Sequence, residues 1–91
     1  MTFSGIDGGN CVMSSIAKVR FEAGIIERAK IIKSEENYIV QFTGKGATWN
    51  GESLVLSSAR EPYQARIFKS IDGAMSAVEK IGLKTAAIDV T

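Results

Sequence analysis

The sequence predicts a small single-domain α+β protein: an antiparallel sheet of four to five strands with one helix packed on one face, in the order β-β-β-β-α-β. Three observations carry that prediction. Residues 66–83, RIFKSIDGAMSAVEKIGL, hold the start, stripe and stop signals of one amphipathic helix. Several short runs alternate apolar and polar side chains, the period of a half-buried strand. Glycine, asparagine and proline then punctuate those runs at short intervals. With 91 residues the chain makes one domain with a small core. The expected division is a flexible N-terminal arm over residues 1–12 and the folded domain over 13–91.

The helix is the best-defined element. Ser70 is its N-cap, because a hydroxyl there accepts from an amide with no partner inside the helix. Asp72 suits the positive end of the helix dipole. Ala74, Ala77, Val78 and Ile81 fall at i, i+3, i+4 and i+7. Lys80 lies in the last turn, Gly82 takes the left-handed position that ends the helix, and Leu83 folds back on it. The stripe must cover one face of the sheet, so the helix is a buttress.

The strands follow in chain order. Residues 1–10 hold three of the nine glycines and few core formers, which reads as a loose arm. From Ala17 the chain alternates, with Ala17, Val19, Phe21 and Ala23 on one side and Lys18, Arg20 and Glu22 on the other. A helix over 16–33 competes, since Ile25, Ala29 and Ile32 also fit helical spacing. Strands are preferred because Gly24 inside a helix costs about 1 kcal/mol. Residues 26–33 and 38–43 form a hairpin around the polar turn 34–37. Tyr38, Val40 and Phe42 share one face of its second strand. Asn50 and Gly51 mark a tight turn, and 53–58 is a strand with Leu54 and Leu56 on one face. Pro62 lies in a loop. Residues 64–69 read as a strand that runs into the helix, and 85–90 as a final edge strand.

Composition excludes several functions. Eleven Lys and Arg against ten Asp and Glu leave a net charge of +1, unlike the strong basic excess of a free-standing nucleic-acid binder. The chain has no histidine, so no Ser-His-Asp or Cys-His arrangement forms. Cys11 is the sole cysteine, which removes internal disulfides and cysteine zinc sites and favours a reducing compartment. No leader segment is expected, and no apolar run approaches the ~18 residues of a membrane span. Asp7, Glu35 and Glu36 lack the spacing of a calcium loop. The run Gly44-Lys45-Gly46 lacks the spacing of a P-loop, although a flexible loop there would bring Lys45 to a phosphate backbone. No cofactor, metal or small-molecule substrate is expected.

The basic residues offer a partner surface. Lys18 and Arg20 share one predicted strand face, and Arg28 and Lys30 share one on the next. Arg66 stands on the strand entering the helix, and Arg60 and Lys69 lie near its ends. If these faces coincide, the open side of the sheet is locally cationic, with the acids elsewhere. Such a patch steers a protein to nucleic acid or an acidic surface. The competing reading is an ordinary solvated face of mixed charge. Trp49 and Tyr63 sit in or next to loops, where an aromatic anchors an interface or closes the edge of a small core. The candidate contact set is Lys18, Arg20, Arg28, Lys30, Arg66 and Lys69, with Trp49 as aromatic anchor.

Two resemblances follow from these residues. The run Arg66-Ile67-Phe68-Lys69-Ser70-Ile71-Asp72-Gly73-Ala74 resembles a strand-to-helix joint of small plasmid and phage accessory proteins. The whole chain is similar to a small phage-encoded anti-CRISPR protein of the group that inhibits type I-F systems. The features that carry this are its length, the opening MTFSGIDGGNCVMSSIAKVRFEAG, the lone cysteine, the absence of histidine and the closing KIGLKTAAIDVT. The group has no shared catalytic motif, so no residue role transfers. The resemblance implies a non-enzymatic inhibitor in the host cytoplasm. It would bind the RNA-guided surveillance complex, contact Cas subunits and CRISPR RNA, and block target DNA. Near-neutral charge argues against a pure DNA mimic. The alternative is an accessory protein that binds DNA directly.

Overall fold

The computed structural model describes residues 10–49, 51–58, 60 and 64–90, apart from the side chain of Trp49. The helix read from the sequence forms as expected. It is the second of two, α2, and spans Ile71–Ile81. Ser70 Oγ accepts from the Gly73 amide at 3.1 Å. Gly82 takes φ +123° and donates to the Glu79 carbonyl at 3.0 Å. Ala74, Val78, Ile81 and Leu83 are buried. Each of the larger of these side chains contributes roughly 1.5–3 kcal/mol by leaving water.

The strands are β1 (Cys11–Met13), β2 (Arg28–Ser34), β3 (Asn37–Thr43), β4 (Thr48–Trp49), β5 (Glu52–Ser53), β6 (Val55–Ser57) and β7 (Ile88–Val90). Five of them make one sheet in the order β1-β6-β3-β2-β7, and β4 and β5 form a separate two-stranded ribbon. The β2–β3 hairpin runs from Arg28↔Thr43 to Ser34↔Asn37. Its turn holds Glu35 at φ +59°. Gly51 at φ +82° serves the turn of the ribbon, whose other central residue, Asn50, lies outside the described residues. The fold class is therefore α+β, with a mixed sheet and two helices.

Four expectations need correction. The first concerns residues 17–23, which are not a strand. They lie within or just beyond a second helix, α1 (Ser14–Glu22). Gly24 does not oppose this helix; it ends it. Gly24 sits at φ +80° and donates to Phe21 O at 3.0 Å, while the Ile25 amide donates to Arg20 O at 2.9 Å. That pair of bonds is a Schellman closure, which uses glycine in the left-handed conformation. Helical spacing then puts Ala17 in the core and leaves Val19 64% exposed, whereas a strand would have buried both.

The sheet is also not purely antiparallel. β1 pairs parallel with β6, and β2 parallel with β7. The connections β1-α1-β2 and β6-α2-β7 are both crossovers between parallel strands. They run in the same direction across the sheet with their helices on the same face, so they share one hand. Third, residues 64–69 form no continuous strand. Only Phe68 bridges, exchanging two 2.8 Å hydrogen bonds with Tyr38. Finally, the expected arm over residues 1–12 is too long at its inner end. Cys11 and Val12 belong to β1, and Val12 is fully buried. Residues 1–9 lie outside the described residues.

Alternation along the strands fixes the two faces of the sheet. Val12, Ala29, Ile31, Val40, Phe42, Leu56 and Ile88 point to the helices and join Ala17, Phe68, Ala74, Val78 and Ile81 in one core. The opposite, outer face carries Arg28, Lys30 and Ile32 of β2, Ile39, Gln41 and Thr43 of β3, and Asp89 of β7. It is closed at one side, where Cys11, Val55 and Ser57 are all buried. The loop after β3 is tied to the loop before β2. Glu27 N donates to Thr43 O at 2.8 Å. A Cβ on Gly44 would collide with the Ile25 carbonyl oxygen and lie 2.9 Å from the Glu27 nitrogen. Ala47 in the same loop is fully buried. Gly44 and Gly46 of the Gly44-Lys45-Gly46 run thus lie close against Ile25, while Lys45 between them is exposed.

Candidate functional site

The structure divides the predicted contact residues among three places. Arg28 and Lys30 lie together on the outer face of the sheet. Lys18 and Arg20 stand on α1, which packs on the other face. Arg66 and Lys69 lie in the segment before α2, on the helix side of the molecule. Trp49 is a β4 residue whose side chain lies outside the described residues, as does Tyr63 altogether. The expectation that the faces coincide in one cationic patch fails because residues 17–23 are helical.

On the outer face, Arg28 is already engaged. Its Nε donates to Asp89 Oδ2 at 3.1 Å and its terminal nitrogen to Asp89 Oδ1 at 3.0 Å. The same terminal nitrogen donates to the Ala86 carbonyl at 3.2 Å. This is the two-pronged geometry in which guanidinium and carboxylate match best. The hydrogen bond from Arg28 holds the Asp89 carboxyl below the usual carboxylate range, and Arg28 is raised in turn. An acid therefore stands within the patch. The signal for it was present in the alternation of residues 85–90, which puts Asp89 opposite Ile88. Its partner became visible only once β7 paired in parallel with β2.

Lys30 lies beside this pair, with Gln41 opposite it on β3 and Asp89 opposite it on β7. One pair further along, Ile32 faces Ile39 across the hairpin. Both isoleucines are half-buried, as are Lys30 and Gln41. The result is a face that carries an isoleucine pair towards the hairpin turn, then one cation and one neutralised ion pair.

The other cations are placed differently. Lys18 is exposed on α1, while Arg20 is partly buried, which lowers its pKa by desolvation. Arg66 stacks its guanidinium 4.7 Å over the centre of the Phe68 ring. Lys69 is exposed immediately before the Ser70 cap. Cys11 is buried, and burial pushes its thiol up and keeps it protonated. Among the described residues no three His, Cys, Asp or Glu side chains come together as metal ligands would. No helix among the described residues is long and apolar enough to cross a membrane. Neither a protein-family model, a curated protein nor a solved structure matches the chain.

Proposed function

We propose that this protein acts by binding, as a non-enzymatic inhibitor that docks on the type I-F RNA-guided surveillance complex through the outer face of its sheet. There it contacts Cas subunits and CRISPR RNA and blocks pairing with target DNA. The observation that carries the surface is the Ile32–Ile39 pair bordered by Lys30 and the Arg28–Asp89 bridge. An apolar pair next to a cation and a satisfied ion pair gives a docking surface both an apolar contact and a charged one. Two helices back the sheet from behind, so little conformational freedom is lost on docking. Arg28 neutralises Asp89, which removes the repulsion an acid would exert on RNA, and Lys30 remains as a cation for a phosphate or an acidic side chain. The choice of partner rests on the resemblance of the chain as a whole, and that resemblance also supplies the host cytoplasm as the place of action.

The test is a gel shift of target DNA with purified surveillance complex. Adding the protein first should abolish the shift of the complex. Naked DNA without the complex should not bind the protein at low salt. An undiminished shift of the complex would sink the proposal. Salt-dependent binding to naked DNA would favour the second reading, a direct DNA binder using Lys18, Arg20, Arg66 and Lys69 off the sheet face.

A further inference from the structure

α2 carries a second surface, away from the outer sheet face. Gly73, Ser76 and Ala77 make a wall of small residues along it, and Lys80 follows one turn after Ser76. This wall faces Ser14 at the start of α1 and Arg66 in the segment before α2. Together they line a groove of about 120 Å³. A groove of this size has room for a small tetrahedral oxyanion.

The chemistry of the lining is one-sided. Among the described residues that line it, both charged residues are cations, both polar neutral residues carry hydroxyls, and none is a carboxylate. Arg66 is anchored through its backbone and rests against an aromatic ring. Its amide donates to Leu56 O at 2.8 Å, and its guanidinium carbon sits 4.7 Å over the centre of the Phe68 ring, itself tied to Tyr38 by two hydrogen bonds. The guanidinium carries five N–H donors in a planar fork, the group that matches phosphate oxygens. Among the described residues neither Arg66 nor Lys80 pairs with an acid. Gly73 and Ala77 let an oxyanion approach the helix closely, and Ser14 and Ser76 supply O–H donors at the rim.

We propose that this groove is a phosphate-binding site, with Arg66 and Lys80 as the charged ligands and Ser14 and Ser76 as hydroxyl donors. The test is an NMR titration with inorganic phosphate at constant ionic strength, with chloride as reference. Saturating shifts are expected at Ser14, Arg66, Ser76 and Lys80. Arg66→Gln and Lys80→Gln should each weaken binding about tenfold or more, the loss of one charge-assisted contact. Lys84→Gln, outside the groove, should leave affinity unchanged. Lys80→Gln touches no core residue and carries the test alone if Arg66→Gln fails to fold. A second arm uses a short single-stranded RNA. Shifts at the same four residues identify a nucleic-acid phosphodiester as a source, and shifts with inorganic phosphate alone identify a free phosphate. Non-saturating shifts with both probes, or equal weakening by Lys84→Gln, would overturn the proposal.

Discussion

Arg28 on β2 holds Asp89 on β7 with two parallel hydrogen bonds, at 3.1 and 3.0 Å, across a parallel strand pair. The bridge fastens the edge strand to the hairpin and makes the outer face of the sheet less cationic than Arg28 and Lys30 alone suggest. Its acid dependence has a definite sign. Because the folded carboxyl titrates below its unfolded value, the bridge is fully stabilising above about pH 4 and is lost as pH falls through the lower folded value. Asp89→Asn should flatten that acid limb and speed amide exchange across Ile88–Val90. Hydrogen exchange at two pH values on the wild type and the variant measures both effects.

Ser70 caps α2 with one 3.1 Å hydrogen bond to the Gly73 amide. Ser70→Ala should cost about 1 kcal/mol of unfolding free energy, and Ser70→Asp should restore most of it. Urea unfolding at neutral pH reads the difference directly.

Gly44 has no room for a methyl group, because the backbone of Ile25 and Glu27 crosses it within van der Waals distance. Gly44→Ala should therefore destabilise by about 1–3 kcal/mol through overpacking. Gly51→Ala, where nothing lies within 4 Å, should cost less, about 1 kcal/mol from the left-handed backbone alone. Both glycines sit at positive φ, so thermal unfolding of the two variants side by side reads the extra cost of crowding at Gly44.

Cys11 is 8% exposed and its thiol is held protonated by burial. An aromatic disulfide reagent should react with it slowly in the native protein and at the free-thiol rate in denaturant. A rapid native reaction would show that β1 opens far more readily than its pairing with β6 implies.

Much of this architecture was legible in local signals. α2 was readable because its cap, stripe and stop all lie within one short segment. The β2–β3 hairpin was readable from its alternation and polar turn. α1 was not, because Ala17, Val19, Phe21 and Ala23 satisfy a strand period by coincidence. The deciding feature is the closure that joins Arg20, Phe21, Gly24 and Ile25, and it turns Gly24 from a helix breaker into a helix end. The parallel pairing of β7 with β2 depends on a crossover, which no local pattern records. The site was legible only in part for the same reason. Arg28 and Lys30 were correctly placed on one face, but Asp89 reaches them only through that long-range pairing. Lys80 reads in the sequence as a last-turn residue of the helix, and its place in one groove with Arg66 depends on how α2 lies across the chain.

On the proposed reading the outer sheet face, and not the helix side, meets the surveillance complex. Affinity for the purified surveillance complex, measured by calorimetry for Lys30→Glu and Lys18→Glu, tests it most directly. Both variants should first show a native circular dichroism spectrum. Lys30→Glu should then lose about tenfold or more in affinity, while Lys18→Glu on α1 binds like the wild type. Equal affinities for all three proteins, or a loss confined to Lys18→Glu, would contradict the account.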